Sequence, residues 1–263
     1  MPDETSRIRL AAAFEPLGLA AREAFAHLRS IRVRGVQWPA AAVGLRPRDL
    51  DHGARRDLHA VLRRCELELS GLDLPIPPAH FLEASRVDRA VAAVEEAVRF
   101  AADFGRVPVC LRLPRKDEAA GDDGADDSAD TALDAVRAVA DRFGVRLADE
   151  TVPLAIGTPH GEVVGLGLDP VAFLASGVDP AAAALEHAGR VIAARLSDLD
   201  ASGVRVPPGQ GGRLDVVRYR VALEVGGFDG FLVIDPRQWS DALRGVAAAA
   251  EAWRGAGLPV EPS

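Results

Sequence analysis

The pattern of apolar and polar positions predicts strands and helices in alternation. Short β-like runs stand near Arg9 to Phe14, Gly35 to Trp38, Glu66 to Leu74, Val107 to Leu113, Val145 to Glu150, Val163 to Asp169, Val191 to Asp198 and Phe231 to Asp235. Between them, apolar residues recur at helical spacing. Val87, Val91, Val94, Val98 and Ala101 lie three or four apart before Gly105, and Leu133, Val136, Val139, Ala140 and Phe143 do the same before Gly144. Asp215 reads as the N-cap of a further helix that ends at Gly226-Gly227. Eight strands with intervening helices in 263 residues, with no internal linker, predict one (β/α)8 barrel, a single domain over residues 1–263. An open doubly wound sheet is the alternative, but no Gly-x-Gly-x-x-Gly follows the first strand.

Two stretches break the regular alternation. Only Thr151 to Glu162 separate the fifth strand from the sixth, and they include Pro153, Gly157, Pro159 and Gly161. The helix between strands 5 and 6 is therefore expected to be shortened or missing. Between Arg115 and Thr131, seven carboxylates face two bases, a net of -5 out of the chain's -8. Low hydrophobicity with Gly, Ala, Ser and Asp makes residues 115–131 an expected acidic, flexible loop.

Composition removes several classes of function. No apolar stretch approaches the ~20 residues that span a bilayer, and the N-terminal MPDETSRIRL lacks the shape of a signal peptide, so a cytoplasmic, soluble protein without a membrane partner is expected. The chain outside the acidic stretch is near neutral and offers no basic face for nucleic acid. Lys116 is the one lysine, which leaves a single candidate amine for Schiff-base chemistry. Cys65 and Cys110 form no CxxC and read as reduced thiols in apolar surroundings. A homo-oligomer is compatible with all of this.

In a barrel of this kind, functional side chains gather at the C-terminal ends of the strands. Strand five ends in Glu150, strand six in Asp169 and strand eight in Asp235, while Arg195 lies near the end of strand seven. Side chains two apart share a face, so Gly165, Gly167 and Asp169, Ala193 and Arg195, and Val233 and Asp235 are expected to point inward. Three carboxylates and one arginine should meet at the barrel mouth. The plainer reading is that each charge ends a strand and faces water. His80 and His160 lie in loops near the mouth, and Trp38, Arg112, Gln37 and Glu15 lie near strand ends, where each could contact a ligand or serve structure. His27, His52, His59 and His187 belong to helical segments. Pro207 to Gly212 is Gly-rich but lacks the Lys-Ser/Thr of a phosphate-binding loop.

The segments Gly144-Val-Arg-Leu-Ala-Asp-Glu150, Val164-Gly-Leu-Gly-Leu-Asp-Pro170, Arg190-Val-Ile-Ala-Ala-Arg-Leu-Ser-Asp198, Pro208-Gly-Gln-Gly-Gly-Arg-Leu-Asp215 and Gly227-Phe-Asp-Gly-Phe-Leu-Val-Ile-Asp235 resemble successive signatures of the sugar phosphate isomerase/epimerase family, the xylose isomerase-like TIM barrels. The resemblance implies a divalent metal, Mn or Mg, held by Glu, Asp, His and a second Glu. It also implies proton transfer beside the carbonyl of a small-molecule sugar or sugar derivative. Glu150 matches the first Glu and Asp169 the Asp. Arg195 stands where the family has His, Asp235 where it has the second Glu, and Ala172 where relatives often have His or Asn. Arginine has no lone pair for a metal. Asp235 is one methylene shorter, and a displacement of about 1 Å can cost on the order of 100-fold in rate.

Three convergent carboxylates need a positive partner or a proton. Two solutions stand at this point. Either Arg195 occupies the metal's place and forks onto Asp169, Glu150 or Asp235 with no cofactor, or Glu150, Asp169 and Asp235 hold Mg or Mn and Arg195 turns to the substrate. The first functional expectation is an isomerase/epimerase of carbohydrate metabolism with a degenerate metal site, Glu150 and Asp235 catalytic, and Arg195, Asp198, His80, His160, Trp38 and Arg112 on the substrate. Asp198 is alternatively a holder of the loop after strand seven. The rival function is a catalytically silent relative that binds a sugar-like ligand or a protein partner.

Overall fold

The computed structural model describes residues 8–115, 123–152 and 162–257, and of residues 123–129 the backbone alone. Its elements in chain order begin with β1 (Arg9–Ala13), α1 (Ala21–Ser30), β2 (Gly35–Pro39), α2 (His52–Arg64), β3 (Glu68–Asp73), α3 (Val87–Asp103), β4 (Val109–Leu111), α4 (Asp123–Phe143), β5 (Leu147–Asp149) and β6 (Val164–Leu168). There follow α5 (Pro170–Ala175), α6 (Pro180–Glu186), β7 (Val191–Leu196), the short pair β8 (Asp198–Leu199) and β9 (Arg205–Val206), α7 (Val216–Val225), β10 (Phe231–Ile234) and α8 (Ala242–Gly255). Eight strands close into a barrel in the order β1-β10-β7-β6-β5-β4-β3-β2, and β8 pairs with β9 in a separate antiparallel ladder. This is the TIM-barrel architecture that the alternating pattern predicts. Each expected strand is present, seven of them trimmed by a residue or two at one or both ends and the second extended to Pro39.

Local chemistry sets the helix boundaries. Asp169, Asp179, Asp215 and Asp241 each stand just before a helix and accept a hydrogen bond from a first-turn backbone N–H, with Pro170 and Pro180 opening α5 and α6. Gly226 caps α7 and Gly227 follows with φ 78°, a conformation that side chains resist, so the helix stops there. The acidic stretch is corrected in part: the backbone is helical from Asp123, so residues 123–131 are the start of α4 and not loop. Residues 116–122 lie outside the described set. Between β5 and β6 the described residues contain no helix, and 153–161, with His160, also fall outside.

The chain divides into two compact units, the first of Met1–Gln37, Val61–Ser70 and Leu168–Ser263, the second of Trp38–Ala60 and Gly71–Gly167. Within the first, β1 pairs with β10 and β2, and β10 with β7, all in parallel. The register sets Ala11 beside Val233 and Gly35, and Val233 beside Arg195. Ala11, Ala13 and Val233 form a small buried cluster with Phe231 against it. A Cβ at Gly35 would lie 2.7 Å from the Phe231 ring and 2.8 Å from the Ala11 methyl. Phe231 therefore fills the space that a side chain at position 35 would need. Gly35→Ala is expected to destabilise the fold by about 1–3 kcal/mol through overpacking, read as a lower urea midpoint with an unchanged slope.

Candidate active site

Alternation along β7 and β10 turns Arg195 and Asp235 the same way as Val233, and alternation along β1 and β2 turns Ala13 and Gln37 alongside them. Arg195 is the largest fully buried side chain among the described residues. Its guanidinium is 2 % exposed and donates through Nη1 to Gln37 Oε1 at 3.0 Å and to Asp235 Oδ2 at 3.4 Å. Behind it, Tyr219 Oη donates to the Arg195 carbonyl oxygen at 3.2 Å. Burial, with the Asp169 charge adding to it, holds the Tyr219 hydroxyl well above the ordinary phenol range, so it remains a donor.

Asp235 is fully buried and meets three guanidiniums. Besides Arg195, Arg237 donates through Nε at 2.9 Å to each carboxylate oxygen and through Nη2 to Oδ2 at 2.6 Å, and Arg205 donates through Nη1 to Oδ2 at 3.2 Å. Burial alone would raise the Asp235 pKa, but the charges of Arg195, Arg237 and Arg205 with the Arg237 hydrogen bond outweigh it and bring it down to about 2. The turn Pro236–Trp239 aims Arg237 back at this carboxylate, and Gln238 within it has φ 68°, a strained conformation for a residue with a side chain. Arg205, at the end of the β8–β9 hairpin, bridges to Asp169 through Nη2 at 2.6 Å. Asp169 in turn caps α5 by accepting from Val171 N at 3.1 Å.

Within the first unit the cluster is thus two carboxylates, Asp169 and Asp235, and three arginines, Arg195, Arg205 and Arg237. To the expected Asp169, Arg195 and Asp235 this unit adds Arg205 and Arg237; Glu150 belongs to the second unit. Among the described residues no group of three His, Cys, Asp or Glu side chains that could hold a metal ion is found. The donor chemistry agrees: both Asp235 oxygens carry hydrogen bonds from guanidiniums, and a divalent ion there would face three cations at close range. The implied metal does not fit these residues.

The other sequence candidates separate. Asp198 is buried, and its Oδ1 accepts from the backbone N–H groups of Leu199, Arg213 and Leu214 at 2.7–2.8 Å, which makes it the holder of the loop after β7. Gly212 packs so closely over this carboxylate that a Cβ would overlap it. In the second unit, Glu150 is half-buried just beyond β5, and its stem fills the space of a side chain at Gly167, whose Cβ would lie 2.7 Å from Glu150 Cγ. Trp38 is buried and its indole N–H donates to Leu45 O at 2.8 Å, so it braces a loop and offers no donor to a ligand. Arg112 is exposed after β4, and His80 lines a pocket of the second unit. Sequence reasoning missed Arg205 and Arg237. For Arg237 a signal existed, since it stands two residues after Asp235 and so can share its face.

A closed eight-stranded (β/α) barrel with charged strand ends at its C-terminal face is the architecture of barrel enzymes and their binding relatives. Residues 25–255 match the xylose isomerase-like TIM barrel family, and the chain belongs to it. Among solved structures it is similar to a xylose isomerase domain protein from Planctomyces limnophilus, with 17% identity, a TM-score of 0.75, and 95% of this chain and 97% of that one covered. An L-ribulose 3-epimerase gives 17% identity and a TM-score of 0.72 over 95% and 94%. A probable 3-DHS dehydratase from Bacillus anthracis gives 12% and 0.71 over 93% and 98%. No curated protein matches the sequence. At these identities the likeness shows the fold.

The network predicts an acid-sensitive stability. An ordinary Asp titrates near 3.9, so a folded pKa of about 2 contributes about 2 kcal/mol that is fully present above pH ~4 and lost as the pH falls toward 2. Asp235→Asn removes that dependence and leaves Arg195 buried beside a neutral amide, at an expected cost of about 3–5 kcal/mol. Denaturant titrations of both proteins between pH 2 and 7 check it: the gap between the two curves is expected to narrow by about 2 kcal/mol toward pH 2.

Proposed function

We propose that this chain binds a sugar or sugar-like small molecule at its barrel mouth, and that an arginine–carboxylate network stands there in place of the family's metal-dependent proton-transfer centre. The observation that carries this reading is Asp235, held ionised at a pKa of about 2 by Arg195, Arg205 and Arg237. A general base is most effective with a pKa near the working pH, so a carboxylate tied down in this way is a poor proton shuttle at neutrality. Arg195, in the position that the family resemblance gives to a metal-bound His, has five donors and no lone pair for a cation. What it supplies is a fixed positive charge and hydrogen bonds, which suit recognition of hydroxyl or carbonyl oxygens. The sugar-processing names of similar structures, an L-ribulose 3-epimerase and a D-tagatose 3-epimerase-like protein, support the ligand class by analogy.

One observation favours a second reading, in which proton transfer persists without metal. Glu150 keeps its family position, and Gly167 leaves space for its stem. In that case Glu150 removes the proton next to the sugar carbonyl, and the developing oxyanion is stabilised by guanidinium charge.

Calorimetry with Mn2+ and Mg2+ tests the replacement of the metal centre. No submicromolar binding is expected, and a submicromolar site that disappears in Glu150→Gln or Asp169→Asn overturns the proposal. Ketose binding, read by saturation-transfer NMR, is expected to survive EDTA. Solvent-deuterium incorporation into the same ketoses separates the two readings: none is expected for a binding barrel, whereas metal-independent incorporation abolished by Glu150→Gln selects proton transfer.

A further inference from the structure

A second concave site lies wholly within the second unit, at the C-terminal ends of β2 and β3. A pocket of about 320 Å3 opens between the loops that follow these strands and the first half of α3. Its floor is apolar, formed by buried Ala40, Leu74 and Ala90. Its rim is basic, with Arg46, Arg48, His80 and Arg89 against Glu96 as the one carboxylate among the lining residues.

These side chains are not equally engaged. Arg46 donates to Asp49 through Nε at 2.8 Å and Nη2 at 3.2 Å, and Glu96 acts on it electrostatically. Among the described residues Arg89 makes no ion pair, and neither Arg48 nor His80 has a side-chain hydrogen bond, although the Arg48 charge is felt by Asp49. The loop that carries Arg46 and Arg48 is tied down in the free protein. Trp38 donates to Leu45 O, Gly44 N donates to Asp49 Oδ2 at 2.8 Å, and Arg55 donates to Pro47 O at 3.0 Å and Leu50 O at 3.1 Å. Little ordering remains for a ligand to impose.

We propose that this pocket is a binding site for a phosphate monoester with an apolar body. The phosphate sits on Arg48 and Arg89 with His80 beside it, and the apolar part lies over Leu74 and Ala90. Two uncommitted guanidiniums match the charge of a phosphate dianion and exceed that of a carboxylate. The apolar floor favours an ester over the bare ion. The site uses no residue of the arginine–carboxylate network.

Calorimetry of the full chain with phenyl phosphate, inorganic phosphate and benzoate tests it. Phenyl phosphate is expected to bind saturably and more tightly than either comparison ion. Arg48→Gln with Arg89→Gln should weaken it about tenfold or more at unchanged melting temperature, since hydrogen bonds to charged groups are strong. Ala93→Glu, which adds a carboxylate to the lining, should do the same. No saturable binding up to about 10 mM, binding that survives the double substitution, or tighter binding of benzoate each overturns the proposal.

Discussion

A buried carboxylate surrounded by three guanidiniums is the constraint on which the functional end of this barrel depends. Asp235 is fully buried, and an isolated charge in such a place is untenable. Arg195 reaches it from β7, Arg205 from the β8–β9 hairpin and Arg237 from the turn after β10, so one group ties three chain segments together. Through Arg205 the tie extends to Asp169 and the start of α5. Loss of Asp235 therefore leaves buried positive charge without compensation as well as releasing three connections.

Packing makes this arrangement affordable to the fold. On β1 and β2 the positions Ala11, Ala13 and Gly35 are small, and Phe231 takes the space that a side chain at Gly35 would need. The same economy recurs at Gly167, which yields its space to Glu150, and at Gly212, which closes over Asp198. Small residues thus set where each long polar side chain can lie. The strained backbone at Gln238 fits this picture, since the turn that contains it directs Arg237 at Asp235.

Much of this was legible in the sequence, and the missing parts have physical causes. Period-two and period-3.6 patterns marked the strands and α3, α4 and α7, because burial on one face imposes those periods. Parity along β7 and β10 turned Arg195 and Asp235 inward together. Arg205 was hidden because its strand is two residues long, too short for a period, and its partners lie 30 and 36 positions away. Arg237 sits in a turn whose geometry depends on Gln238 at positive φ, which no residue type announces. The acidic stretch misled because its charge suggested solvated loop, while the backbone from Asp123 continues into the Ala-rich helix α4. Trp38 and Asp198 stand at strand ends, where the Trp38 indole N–H and Asp198 Oδ1 are taken up by neighbouring backbone, which strand parity does not show.

The claim that guanidinium charge has taken the place of the metal can be read directly from crystals grown in Mn2+ by anomalous diffraction at the manganese edge. The expected result is no anomalous peak beside Asp169 or Asp235, with the Arg195, Arg205 and Arg237 guanidiniums ordered against the two carboxylates. A manganese peak within ligand distance of Glu150, Asp169 and Asp235, with Arg195 turned away, would contradict it.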